Sequence, residues 1–210
     1  MRLKTNSILR IVFSTLLSLL CFQVFGNSYP DSALLLIEHY NNTGRSKQSS
    51  KYESRLYNMY GKYYYLQSEY PTSLEYHTKA LEILEKNGDL KVLGSSYNGI
   101  GLIFLGQYDY QKAILWQEKS LDIYEQIGDS VSMAKAYFNL GLAFSETALY
   151  DSAFYYLKKS EALALRVKFY RGIYLAENRL ADLSFKLGDI EGALEGYSKV
   201  IKGDQNGELY

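Results

Sequence analysis

Side chains able to do chemistry are few in this 210-residue chain, and they stand apart from one another. His39 and His77 are its two histidines, and neither sits in a His-Glu-x-x-His or comparable ligand spacing, so no metal site is expected. Glu75 and Glu82 flank His77, but acids at such offsets usually belong to a solvated helix face. No pair of acids and no activated nucleophile completes a catalytic constellation. Gly99-x-Gly101 with Gly106 has the look of a phosphate-cradling loop, yet no strand pattern precedes it, and packing accounts for the glycines better. Phe104, Trp116 and the tyrosines suggest a ring-stacking site until their recurrence every 40 residues is noticed, which assigns them to a core. The single cysteine, Cys21, rules out a disulfide framework within the chain. The expectation is a protein that is not an enzyme, with no catalytic residue, no cofactor and no metal.

The elements that carry these residues are helices. Only two prolines occur, both before Thr72, so a long stretch follows in which nothing forbids helix, whereas an all-β chain would need many more turn formers. Tyrosine is frequent, at 22 residues, and suits half-buried positions where the ring packs and the hydroxyl stays wet. Many shallow interfaces between helices are implied. Formal charge balances over the full chain, but Arg2, Lys4 and Arg10 lie in an N-terminal stretch without acids, so the remainder is slightly acidic. Such a body is a poor electrostatic match for nucleic acid, and no nucleic-acid partner is expected.

That N-terminal stretch reads as an export signal. Met1 to Arg10 is basic, Ile11 to Phe25 is almost wholly apolar, and Val24, Phe25 and Gly26 form an exit ending in a small residue. Residues 1–26 are therefore expected to be a signal peptide cleaved after Gly26, which places the protein in the periplasm or cell envelope. The apolar run falls short of the roughly 20 residues that cross a bilayer, so membrane contact is expected only through this segment. Lipoprotein processing at Cys21 is an alternative, disfavoured by the bulky Leu20 before it. A buried first helix of the fold is a third, and must explain why no acid occurs before Asp31.

One period organises the rest. Gly61, Gly101, Gly141 and Ala181 lie 40 residues apart, each after an apolar residue. Ser73, Ala113, Ala153 and Ala193 follow twelve positions later, and Ala80, Ser120, Ser160 and Val200 seven beyond those. Apolar residues recur at three and four spacing on both sides of a short polar break in each unit, the pattern of a helical hairpin. Small side chains let the two helices approach closely, and the rings fill the space between hairpins. Asn87-Gly88-Asp89 and Ile127-Gly128-Asp129 supply a left-handed stop and an acid to start the next helix. Val167-Lys168-Phe169 lacks the glycine, so a less sharply defined turn is expected there. Asp31-Ser32-Ala33 repeats Asp151-Ser152-Ala153, which makes Asp31 to Asn41 the second helix of an incomplete hairpin.

Small residues at these offsets with an aromatic three after the first, as in Gly101, Phe104, Ala113 and Ser120, resemble the tetratricopeptide repeat, over about Asp31 to Lys202. The 40-residue length is similar to the subgroup of kinesin light chains, cell-polarity adaptors and bacterial signalling regulators. The resemblance implies an all-α fold, an α-α superhelix: a right-handed solenoid of antiparallel helix hairpins. It would comprise a half-repeat and linker at 27–50, repeats at 51–89, 90–129, 130–169 and a divergent 170–203, and a tail at 204–210. In the fourth unit Glu177, Ala181 and Ser184 depart from the aromatic, glycine, aromatic pattern. First helices of the family line a concave groove, and asparagines just before the small residue grip a ligand backbone. The matching positions are Asn58, Asn98 and Asn178, with Asn139 one residue later, and an amide offers both a donor and an acceptor for the task. Lys62 and Arg55 would add attraction for an acidic or C-terminal group. These asparagines can equally bond neighbouring helices.

The expected function is a non-catalytic scaffold that binds a protein or peptide on its concave face, as the N-terminal sensory or adaptor part of a bacterial envelope signalling protein. The alternative is a structural component that self-associates through its C-terminal hairpin. Leu194, Tyr197, Val200 and Ile201 would leave an apolar face at that end, where solenoids usually carry a polar cap. Gly192 and Gly196 should weaken its last helix by about 1 kcal/mol each relative to alanine.

Overall fold

The computed structural model describes residues 50–87 and 89–205. The expected export leader with Cys21, the expected half-hairpin from Asp31 to Asn41, His39 and Gly88 lie outside the described residues. Eight helices follow one another: α1 (Ser50–Leu66), α2 (Tyr70–Asn87), α3 (Leu90–Gly106), α4 (Tyr110–Ile127), α5 (Ser130–Glu146), α6 (Tyr150–Arg166), α7 (Tyr170–Lys186) and α8 (Ile190–Gln205). No strand occurs among the described residues. Each helix packs on the next, and α1, α3, α5 and α7 also touch in succession, whereas consecutive second helices make no comparable contact. First helices that crowd together while second helices splay apart bend the stack into an α-α superhelix whose inner face the first helices line.

The 40-residue period is a period of packing. Ala80, Ala113, Ala153 and Ala193 are buried to within 1% of complete, as are Ser73, Ser120 and Ser160. The serines do more than save space. Ser120 Oγ donates to the Gly94 carbonyl at 2.9 Å, and Ser160 Oγ to the Ala134 carbonyl, one unit on, at 2.8 Å. Ser73 Oγ donates to the Gly61 carbonyl at 2.7 Å. Each bond ties a second helix to the first helix of its own hairpin. Opposite each small residue of the first helix stands a side chain from the second: a Cβ added to Gly61 would lie 2.7 Å from the His77 ring, one on Gly101 2.6 Å from Gln117, and one on Gly141 2.6 Å from Leu157. His77, Gln117 and Leu157 are themselves 40 residues apart. Rings follow the same beat, with Tyr76 stacked on Tyr64 at 5.4 Å and Tyr156 on Phe144 at 5.3 Å.

Turns keep the register as well. Within hairpins, Ser68, Tyr108, Ala148 and Gly188 take positive φ of 62°, 62°, 58° and 83°. Between hairpins Gly128 does so at 69°. The turn at Val167-Lys168-Phe169 differs from expectation: Lys168 adopts φ 55° without being glycine. Lys168 N–H donates to the Leu165 carbonyl at 3.2 Å and Phe169 N–H to that of Ala164 at 2.9 Å, the same pair of bonds that Gly128 and Asp129 make. Packing on both sides holds the lysine in a backbone region it would not choose alone. Asp89, Asp109 and Asp129 cap α3, α4 and α5 through backbone N–H groups three residues on.

The last hairpin is closely packed on its inner side, where a Cβ on Gly196 would stand 2.7 Å from that of Ala181. Its outer side is bare. Leu194 is 64% exposed and Ile201 57%, whereas Leu81 and Leu121, which share the Ile201 column, are 8% and 9% exposed beneath the following hairpins.

Candidate functional site

The concave side of the first three units carries a trough. One part of it, of about 400 Å³, is lined by Arg55, Asn58, Lys62, Lys91, Asp89 and Asp129 among others. An adjoining part, of about 460 Å³, is lined by Lys62, Asn98, Leu102, Lys135 and the inner edge of His77. Lys62, Ser95, Tyr124 and Ser132 belong to both, so the two parts are continuous. Most of these residues come from α1, α3 and α5, with His77 reaching in from α2, Tyr124 from α4, and Asp89 and Asp129 from the turns before α3 and α5. They meet because the first helices stack side by side and because positions one unit apart face the same way.

Each asparagine expected here has its own fate. Asn58 is buried, and its amide is engaged: Nδ2 donates to Ser96 Oγ at 2.9 Å and lies 3.5 Å from His77 Nδ1, while Oδ1 accepts from Ser95 Oγ at 3.3 Å. Asn98 is half-buried at the trough wall. Its Oδ1 accepts from Asn139 Nδ2 at 3.2 Å and its backbone carbonyl from Gln117 Nε2 at 3.3 Å, which leaves the Asn98 amide NH2 as the end not engaged among the described residues. Asn139 is buried behind it. Asn178, on α7, borders none of these cavities. Arg55 is tied to Asp89 at 2.9 Å. The trough therefore gathers Asn58, Lys62 and Asn98, with Asn139 in support and Asn178 apart.

The charges are uneven. Four cations, Arg55, Lys62, Lys91 and Lys135, line the trough against two carboxylates, and both carboxylates are occupied. Asp89 pairs with Arg55 and caps α3, and Asp129 accepts from the backbone N–H and hydroxyl of Ser132. Among the described residues no carboxylate pairs with Lys62, Lys91 or Lys135. Lys135 rests over the Phe169 ring at 5.3 Å. Lys62 lies open along the trough, yet the protein massed around it costs its ammonium hydration, and with Lys135 repelling it the side chain is held below the ordinary lysine value. Burial, aided by Lys62, pushes His77 down to about 3, so the imidazole is neutral and its Nε2 has no partner. Burial raises Tyr124, with hydroxyl contacts to Ser120, Ser132 and Ser95 pulling the other way.

A third cavity, of about 260 Å³, lies between α5 and α7 and is bordered by Leu142, Phe185 and Tyr197. Here the charges cancel within the protein: Lys186 bridges to Glu146 at 3.2 Å, Arg179 to Asp182 at 3.0 Å, and the Tyr197 hydroxyl donates to Asp182 at 2.7 Å. Among the described residues no group of acids, histidines or cysteines could hold a metal, and no helix is long and apolar enough to cross a membrane.

Lys135, Leu102, Ser95, Ser132 and Tyr124 were not singled out from the sequence. The signal for Lys135 was present: it stands two units after Arg55, in the same column.

A family model described as the tetratricopeptide repeat matches residues 52–126 and 92–166. Similar solved structures include BtubC from P. vanneervenii, with TM-score 0.72 and 16% identity over 90% of this chain and 78% of that one. A Rap protein complexed with competence and sporulation factor has TM-score 0.72 and 21% identity over 85% and 50%. The Rap conjugation gene regulator of plasmid pLS20, in complex with the Phr* peptide, has TM-score 0.64 and 13% identity over 84% and 53%. At these identities the likeness is one of fold, and this chain spans about half the length of the two Rap structures. No curated protein matches the sequence.

Proposed function

The chain belongs to the tetratricopeptide-repeat family, and from that premise we propose that it is a non-catalytic interaction scaffold that holds a protein or peptide in its concave trough. The observation that carries this reading is the trough itself, continuous across three units, walled by the NH2 end of the Asn98 amide and by Lys62 and Lys135, which lack carboxylate partners among the described residues. Such a set of donors suits backbone carbonyls and acidic groups of a bound segment. Two structures of similar fold are complexes with a peptide or a factor, which supports the same use of the face. With the basic and apolar leader, the reading extends to an exported protein working as the sensory or adaptor part of an envelope signalling system.

The test is partner recovery by the exported protein and by a variant carrying Asn98→Ala and Leu102→Glu, with circular dichroism to establish that both are folded. Recovery should collapse in the variant. Undiminished recovery would remove the trough from the account.

A second reading has its own observation. Ile201 exposes on the last described hairpin a column that is buried at Leu81 and Leu121, and Leu194 is exposed on the same helix, which favours stacking of this hairpin on another copy or an envelope protein. Sedimentation at rising concentration separates the two, because Ile201→Glu should abolish stacking and leave trough binding intact. A monomer at every concentration would discard the stacking model.

A further inference from the structure

The concave side changes character from unit to unit, and one position of the first helix records the change. Lys62, Leu102, Leu142 and Asp182 occupy the same column in successive units. The first is a cation with no carboxylate partner among the described residues, the next two are half-buried apolar side chains bordering the trough and the third cavity respectively, and the last is an acid already engaged by Arg179 and Tyr197. Neighbouring columns agree. Arg55, Lys91 and Lys135 cluster toward the Lys62 end, whereas Phe138 takes the column of Asn58 and Asn98 in the third unit, and Lys186 is neutralised by Glu146 in the fourth.

The cationic end is also open in both directions. Lys62 lies where the two parts of the trough join, not at a dead end. Asn58, one helical turn before Lys62 on α1, is buried and committed to Ser95, Ser96 and His77, so it is not available to help Lys62 seat a terminal carboxylate. Acidic side chains on a chain that runs through the trough need no such seat. They require only ammonium groups spaced along the wall, which Lys62, Lys91 and Lys135 supply.

We infer that the concave side accepts an internal segment of its partner that is acidic where it crosses Lys62 and Lys135 in the trough and apolar where it passes Leu102 and reaches Leu142 at the third cavity, so that the segment binds in one direction. The inference rests on the concave face being the binding face, and adds the chemistry and polarity of what lies there. Charge sets direction because the cations bordering the third cavity, Arg179 and Lys186, are already paired: a reversed segment would place its acids against Glu146 and Asp182 and leave two lysines uncompensated.

The experiment uses short, C-terminally amidated, fluorescent peptides with a pair of glutamates ahead of a pair of leucines, the same residues in reverse order, and lysines in place of glutamates. Anisotropy is read against the exported protein, Lys62→Ala/Lys135→Ala and Leu102→Glu, each first checked by circular dichroism. Of the two acidic peptides one order should bind at least about tenfold more tightly than the other, a difference of about 1.4 kcal/mol. The lysine variant should erase that preference, added salt should weaken binding, and the lysine-bearing peptide should not bind. Equal binding of both orders would overturn the inference while leaving the concave face in use if Leu102→Glu still abolishes it. Binding untouched by Leu102→Glu would overturn both.

Discussion

The imidazole of His77 fills the space left by Gly61, so closely that a Cβ on the glycine would stand 2.7 Å from three ring atoms. Gly99, on the next first helix, closes on the same ring from the neighbouring hairpin. One side chain thus joins two units and underlies the trough. Because the ring is held by both glycines it has little room to yield, and Gly61→Ala should cost about 1 to 3 kcal/mol by overpacking. Thermal unfolding will read this as a lower Tm, and an unchanged Tm would mean that the ring moves aside freely.

His77 also makes stability depend on pH. Its folded value, about 3, lies below the ordinary histidine value, so its contribution is fully present above about pH 6.5 and is lost as pH falls toward 3. Over that window the unfolded chain takes up a proton that the native protein refuses, a loss of up to about 1.4 kcal/mol per pH unit. Leucine already occupies this column at Leu157, and His77→Leu removes both the titration and the unpartnered Nε2. Denaturant unfolding at several pH values should show the variant holding stability below pH 6 where the parent loses it. Parallel curves for the two proteins would count against a neutral, buried ring.

Ala113 is fully buried where α4 meets α3. Ala113→Leu should lower stability by about 1 to 3 kcal/mol. Calorimetry that finds the same Tm would show that this column does not set the helix spacing.

The parts of the fold legible in the sequence are those whose chemistry stays constant from unit to unit. Gly61, Gly101 and Gly141 announce themselves because each must be small for the same reason. Their partners do not, because His77, Gln117 and Leu157 fill the same space with different atoms, and only the contacts reveal that they are one column. Lys168 misled for a related reason. Glycine signals a left-handed turn, but its absence does not forbid one when the packing on either side decides.

The site was harder to read, as Asn58 and Asn98 illustrate. They occupy one column, yet one is consumed by the protein and the other is half free. The difference lies some 37 and 38 residues further on: Asn58 meets the hydroxyls of Ser95 and Ser96, whereas the corresponding residues for Asn98 are Lys135 and Ala136. Ala136 offers no hydrogen-bonding side chain, so Asn98 turns its carbonyl to Asn139 and keeps its NH2 for the trough. An asparagine's fate in such a stack is written in the next unit, not in its own.

The central claim, that the inner face and not the outer one holds the partner, is tested most directly by placing a photo-reactive residue at Ser95, which lines both parts of the trough, or at Lys119, which lies over Trp116 on α4 at 4.5 Å. On illumination of the protein in its native surroundings, adducts to one partner should form from position 95 and not from position 119. Adducts that form from position 119 alone would contradict the account.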